Sequence, residues 1–221
     1  MTVRDPRRPP RDNYTGLVPM ARCGWKGIPF ESMIEMDWLI VSDAFHRTLR
    51  EIEAQPCIVD YFIDGKHRKW IPDFGLTVSD DSRPILVEVK TLKDLYPKDP
   101  ELAGYTRAKW AAIERAAIEQ GYGFALYTEN EIRVQPRLEN ATLSSAVVSR
   151  FFPKDRLQAG IAGVLKLPNG SRVLDLERLL GGRGDGLDVA IHLAWQGLTG
   201  LPRSVSGAGK RRSSGPGSPC D

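Results

Sequence analysis

Between residues 30 and 54 the apolar side chains Ile34, Trp38, Val41, Phe45, Leu49 and Ile52 recur at steps of three and four. That spacing predicts one amphipathic helix across the segment. Ser32 is placed to cap it, Glu35 completes an S-x-x-E capping box, and Gln55-Pro56 marks its end. The period then changes. "CIVDYFID" and "GKHRKWIPDFGL" read as two strands joined at Asp64-Gly65, a hairpin dipeptide. "DDSRP" is a turn, and "ILVEVK" a short β-branched strand. A helix is expected over 102–120, closed by Gly121. "FALYT" and "IRV" complete the set as two more strands. Helix, three strands, helix and strand make an α/β arrangement around a mixed sheet. The order is not regular βαβ alternation, and neither a GxGxxG nor a Walker A loop is present.

The flanks have a different character. Residues 1–27 are rich in Arg and Pro and are expected to be a basic flexible arm. Residues 28–140 hold the α/β pattern. After Asn140, "LSSAVVSRFF", a turn at Asn169-Gly170, the break "GGRGDG" and "LDVAIHLAWQGLTGL" suggest a small, mainly helical and winged-helix-like domain over 141–201. Residues 202–221 are rich in Ser and Gly and are expected to be a disordered tail.

Composition narrows the function classes. Of 221 residues 41% are hydrophobic and 27% charged, which suits a soluble packed core. A net charge of +3 permits a nucleic-acid partner without demanding one. Cys23, Cys57 and Cys220 lie far apart with no CxxC, which argues against a disulfide framework or zinc site and for a reducing, cytoplasmic setting. The amino terminus has no apolar core of a secretion signal, and no apolar run is long enough to span a bilayer.

Against this background the charges in "KWIPDFGLTVSDDSRPILVEVKT" stand out. Glu88 and Lys90 are two apart, so they share a strand face. Asp73 follows Pro72 at the end of the neighbouring strand. If those strands pair, two carboxylates converge within reach of one magnesium ion, to which the Val89 carbonyl adds an oxygen. Lys90 beside them stabilises a developing hydroxide or a scissile phosphate. E-x-K also occurs by chance on solvated strands, and P-D is a frequent turn pair. What favours chemistry is the apolar strand around Glu88 and Lys90, where charge is costly unless used or paired. Glu35 borders the apolar stripe of its helix and is a further carboxylate candidate, unless it serves only as the cap. Glu31, a turn earlier, is expected to be solvated. Gln55 is a candidate for hydrogen bonding near the site, and Arg107 and Lys109 are candidates for phosphate contact.

Taken together, "FESMIEMDWL", "QPCIVDYFIDGKHRKWIPDF", "ILVEVKT" and "AKWAAIERAAIEQGYGFALYTENEIR" resemble the amino-terminal domain of TnsA-type endonucleases over roughly residues 30–140. These are strand-nicking subunits of heteromeric transposases. The resemblance implies a restriction-endonuclease-like fold, with Glu35 as helix carboxylate, Asp73 and Glu88 as metal ligands and Lys90 as catalytic lysine. It also implies Mg2+ as cofactor, with Mn2+ substituting, and double-stranded DNA at transposon ends as substrate. A DDE-type transposase subunit and an AAA+ ATPase regulator are the implied partners, and a bacterial, nucleoid-associated location follows. Two other functions fit the same residues: a stand-alone restriction-like, repair or phage DNA-processing nuclease, and a non-catalytic DNA- or protein-binding module. The intact Asp73, Glu88 and Lys90 argue against the last.

Overall fold

The computed structural model describes residues 14–78, 81–149 and 151–200. In chain order, β1 (Gly16–Met20), a short 3-10 turn and β2 (Lys26–Phe30) lead into α1 (Met33–Phe45). Five strands follow: β3 (Leu49–Ala54), β4 (Val59–Ile63), β5 (Lys66–Trp70), β6 (Phe74–Val78) and β7 (Asp81–Val89). Then come α2 (Leu92–Leu95), α3 (Pro100–Glu119), β8 (Gly123–Tyr127) and α4 (Glu129–Ile132). Four helices close the described chain: α5 (Arg137–Val148), α6 (Lys154–Val164), α7 (Val173–Leu179) and α8 (Gly186–Trp195).

The centre is a four-stranded mixed sheet in the order β3-β6-β7-β8, antiparallel except for the parallel β7–β8 pair. Alternation along β7 divides the core. Val87 and Val89 face α1, where Trp38 stacks on Phe74 with ring centroids 4.8 Å apart. Leu86 faces the other way, onto Ala112, Ile113, Ala116 and Ala117 of α3. Strands β4 and β5 form a separate two-stranded ribbon whose Val59, Tyr61, Ile63 and Trp70 join that second layer. This is the mixed α/β sheet between helices that the chain's pattern implied.

Four expectations are corrected. The helix expected over 30–54 ends at Phe45, and Leu49–Ala54 is strand β3. A register shift between Leu49 and Glu51 inserts one residue into the strand. It leaves the buried Leu49 and Ile52 three apart, which imitates a helical period. The flexible arm extended too far: β1 and β2 pair between Gly16 and Phe30, and Val18, Met20 and Ile28 are core residues. Residues 1–13 lie outside the described residues. The "IRV" strand is instead the end of α4 and the turn after it, because Thr128 and Glu131 form a capping box that starts a helix.

Lastly, the expected boundary at 140/141 falls inside α5, which packs on both α1 and α8. Arg22 of the 3-10 turn donates from Nη2 to the carbonyls of Ala44 (3.1 Å) and Trp195 (2.9 Å), and the indole of Trp195 donates to the Asp43 carbonyl. No strand is found after β8 among the described residues, so the winged-helix hairpin is absent there; Asn169-Gly170 is a turn between α6 and α7. The expected tail at 202–221 lies outside the described residues.

Candidate active site

The site lies where four strand ends meet. In β6–β7 the register pairs Phe74 with Val87, so one step further Asp73 comes opposite Glu88. In β3–β6 Ala54 pairs with Phe74, and the next step is a hydrogen bond from the Gln55 backbone N–H to the Asp73 carbonyl (3.0 Å). In β7–β8 Val89 pairs with Tyr127, and Lys90 N–H donates to the Tyr127 carbonyl (3.0 Å). Gln55, Asp73, Glu88 and Lys90 thus form a row across one end of the sheet, with the amino terminus of α1 at the same end.

The side chains converge. Lys90 Nζ is 2.7 Å from Glu88 Oε1 and 3.6 Å from Asp73 Oδ2. Asp73 Oδ2 also accepts from the Val89 backbone N–H at 2.8 Å. The Val89 amide thereby orients Asp73. The other oxygen of Glu88, Oε2, accepts from the Trp70 indole N–H at 2.8 Å. Exposure runs from 5% for the Glu88 side chain through 19% for Asp73 to 33% for Lys90, so the cluster opens to solvent on the lysine and aspartate side.

Glu35 belongs to the same electrostatic group. Ser32 caps α1, but Glu35 does not close the expected reciprocal box: its Oε2 accepts from the Glu31 N–H (2.8 Å) and its Oε1 from the Ser32 hydroxyl (2.7 Å). Burial, followed by the nearby Asp73 charge, pushes the Glu35 carboxyl up to about 7. Burial and then the Glu88 charge push Asp73 up to about 7 as well, against the opposing pull of Lys90 and the Val89 N–H. For Lys90, burial works to depress the ammonium, but Asp73 and Glu88 outweigh it and the pKa is raised.

Residues 46–129 match the family described as TnsA-like endonuclease N terminal. This part of the chain is similar to the amino-terminal domain of TnsA-like endonucleases. No curated protein matches the chain. The TnsA-like segment contains Gln55, Asp73, Glu88, Val89, Lys90, Arg107 and Lys109, and it starts one residue after the end of α1. Glu35 lies outside it and joins the site only through the packing of α1 on the sheet.

Among the sequence candidates, Glu35, Asp73, Glu88 and Lys90 come together at this end of the TnsA-like domain. Gln55 joins them by its backbone and is buried, with a left-handed φ of 49°. Its amide nitrogen donates to Glu31 Oε1 (3.2 Å), so Glu31, expected to be solvated, is held at the rim. Arg107 and Lys109 make no hydrogen bond or ion pair with the cluster; Lys109 Nζ sits 5.0 Å from the Trp110 ring centroid. Trp70 was missed. A tryptophan at a strand end reads as core, which Trp70 also is; only its place three residues before Asp73 hinted that its N–H faces the acids.

The residues suit a hard divalent cation. Asp73 Oδ2 and Glu88 Oε1 face one point, now approached by the Lys90 ammonium, and carboxylate oxygens are the ligands such ions prefer. The upward shifts of Asp73 and Glu35 come first from burial and then from neighbouring negative charge, and a cation relieves the second of these. Among the described residues no three His, Cys, Asp or Glu side chains stand at closed metal-site spacing. The fit is therefore that of an open site with two protein carboxylates, the arrangement magnesium favours when it keeps several waters.

Proposed function

We propose that the chain is a Mg2+-dependent DNA endonuclease subunit that cuts one strand at the ends of a mobile element. The observation that carries this reading is that Asp73 and Glu88 both come within 3.6 Å of the Lys90 ammonium at the strand ends of a TnsA-like domain. Asp73 and Glu88 would hold the ion, with the Val89 carbonyl as a further oxygen. The bound ion would polarise the phosphoryl group and make water a better nucleophile near neutral pH.

The chain's own residues supply the rest. Trp70 holds Glu88 in its rotamer from behind. The Val89 N–H holds Asp73. Lys90, kept charged by both acids, places a fixed positive charge where negative charge develops on the phosphate oxygens. Glu35, on the amino-terminal turn of α1 and raised to about 7 by burial and the Asp73 charge, would be the group to receive a proton from the attacking water near neutral pH.

The family resemblance supports double-stranded DNA as substrate, and a DDE-type transposase with an AAA+ ATPase regulator as partners. No helix among the described residues is long and apolar enough to cross a membrane. The test is strand cleavage of element-end duplex in Mg2+, with and without a DDE-type transposase partner. Single-strand cuts that need the transposase are expected. Robust sequence-specific cleavage by the chain alone would favour a restriction-like enzyme, and no cleavage in either arm would contradict the proposal.

A further inference from the structure

The β4–β5 ribbon ends at the active site. Trp70, its last residue, is the indole that donates to Glu88. The four residues before it, Lys66, His67, Arg68 and Lys69, are all exposed. Three of them are permanent cations, and none of the three makes an ion pair among the described residues. The ribbon's acids are Asp60, which lies 3.2 Å from His67 Nε2, and Asp64 at the turn. On the outer face Phe62 is 69% exposed and meets the His67 ring edge-on. The ribbon's inner face packs on α3. There Trp110 meets Trp70 edge to face at 6.4 Å and carries Lys109 over its ring, so Lys109 stands two rings from Glu88.

We infer that the β4–β5 ribbon is the element that holds duplex DNA against the site, with Lys66 and Arg68 on the strand face of Trp70 and Lys69 on the opposite face reaching phosphates from the two sides of the strand, and Lys109 adding a cation on α3 at the Trp70 side. This rests on the nuclease reading and adds the surface that the substrate occupies. Three arguments carry it. Unpaired cations on a rigid strand are the charge complement of a phosphate backbone, and such contacts supply most sequence-independent affinity. At about 3.3 Å per residue the strand carries Lys66 about 13 Å from Trp70, roughly four base-pair steps of duplex, so the cations reach phosphates flanking a cut beside Glu88. Moreover, the +3 net charge leaves little general attraction, so a local cluster has to supply the binding.

The test uses the full chain, a dye-labelled duplex of arbitrary sequence, Ca2+ to prevent cleavage, and anisotropy titrations at several salt concentrations. The triple variant Lys66→Gln, Arg68→Gln, Lys69→Gln is compared with the parent, and thermal melting checks that both fold. The variant is expected to bind at least about tenfold more weakly at moderate salt, with a salt slope shallower by about 2 to 3, near 0.9 per lost contact. Parental affinity and slope in a folded variant would overturn the inference, as would a parent that does not bind duplex at low salt. Should the triple variant melt early, Lys69→Gln alone is expected to reduce the slope by about 1, and an unchanged slope there overturns the inference equally. Cleavage by the parent is scored separately, so loss of the nuclease reading and loss of the ribbon's role give different patterns.

Discussion

Two hydrogen bonds decide how the acids of the site are aimed, one from the Val89 amide to Asp73 and one from the Trp70 indole to Glu88. The first is backbone and survives most substitutions. The second can be removed alone. Trp70→Phe keeps an aromatic ring against Trp110 and Phe124 but leaves Glu88 Oε2 without its donor. Groups that orient metal ligands are typically worth about 10- to 100-fold in activity or metal affinity, and a loss of that size is expected in Mg2+-dependent cleavage. A variant that cuts at the parental rate would make Trp70 a packing residue only. Asp73, Glu88 and Lys90 were legible from P-D and E-x-K because charges in an apolar strand need a reason. Trp70 was not, since nothing in a tryptophan's sequence context separates a ring that fills a core from one whose N–H also aims an acid.

At the scale of elements, Pro56 sits on Gly75 as β3 leaves the sheet. A Cβ on Gly75 would lie 2.8 Å from Pro56 Cγ. Gly75→Ala therefore has to displace the ring, and with it Gln55, whose N–H holds the Asp73 carbonyl. Overpacking of this kind costs about 1–3 kcal/mol, and activity is expected to fall further than stability because Asp73 moves with the strand. Equilibrium unfolding and cleavage measured on the same preparation check this; parental values for both would show that the strand end is pliable. The strands and helices around the site were readable where the period was clean, as in β7 and α3. They were misread where a bulge gave β3 a helical spacing, and where Pro19, Pro29 and the charges among them hid the alternation of Val18, Met20, Ile28 and Phe30.

At the scale of the whole molecule, charge and connectivity both have consequences. The Asp73 carboxyl rises from 3.8, and that of Glu35 from 4.5, each to about 7 in the folded chain. Between those limits the folded state holds more protons than the unfolded one, so stability is fully present below about pH 4 and declines as pH rises to about 7. The metal-free protein is thus expected to melt lower at pH 7.5 than at pH 5. Ca2+ should raise Tm at pH 7.5 and much less at pH 5, where the acids are protonated. A Tm that rises across the same window in the absence of metal would contradict the shifts. Connectivity makes a second claim. Arg22 ties the 3-10 turn to the ends of α1 and α8, so Arg22→Ala is expected to lose about 1–3 kcal/mol by leaving carbonyls of Ala44 and Trp195 unpaired. For the same reason a fragment ending at Asn140, which cuts α5 and removes Trp195, is expected to melt below the full chain. Equal midpoints for fragment and full chain would make the carboxy-terminal helices an independent unit.

The central claim is that Asp73 and Glu88 form a divalent-cation site beside a lysine that is not itself a ligand. Calorimetric titration of Ca2+ into the full chain at pH 7.5 tests this without needing a partner or DNA. Binding is expected in the parent, near-complete loss in Asp73→Asn, and retained or tighter binding in Lys90→Ala, because the ammonium that competes for the same two carboxylates is gone. No uptake by the parent, or equal uptake by Asp73→Asn, would contradict the assignment.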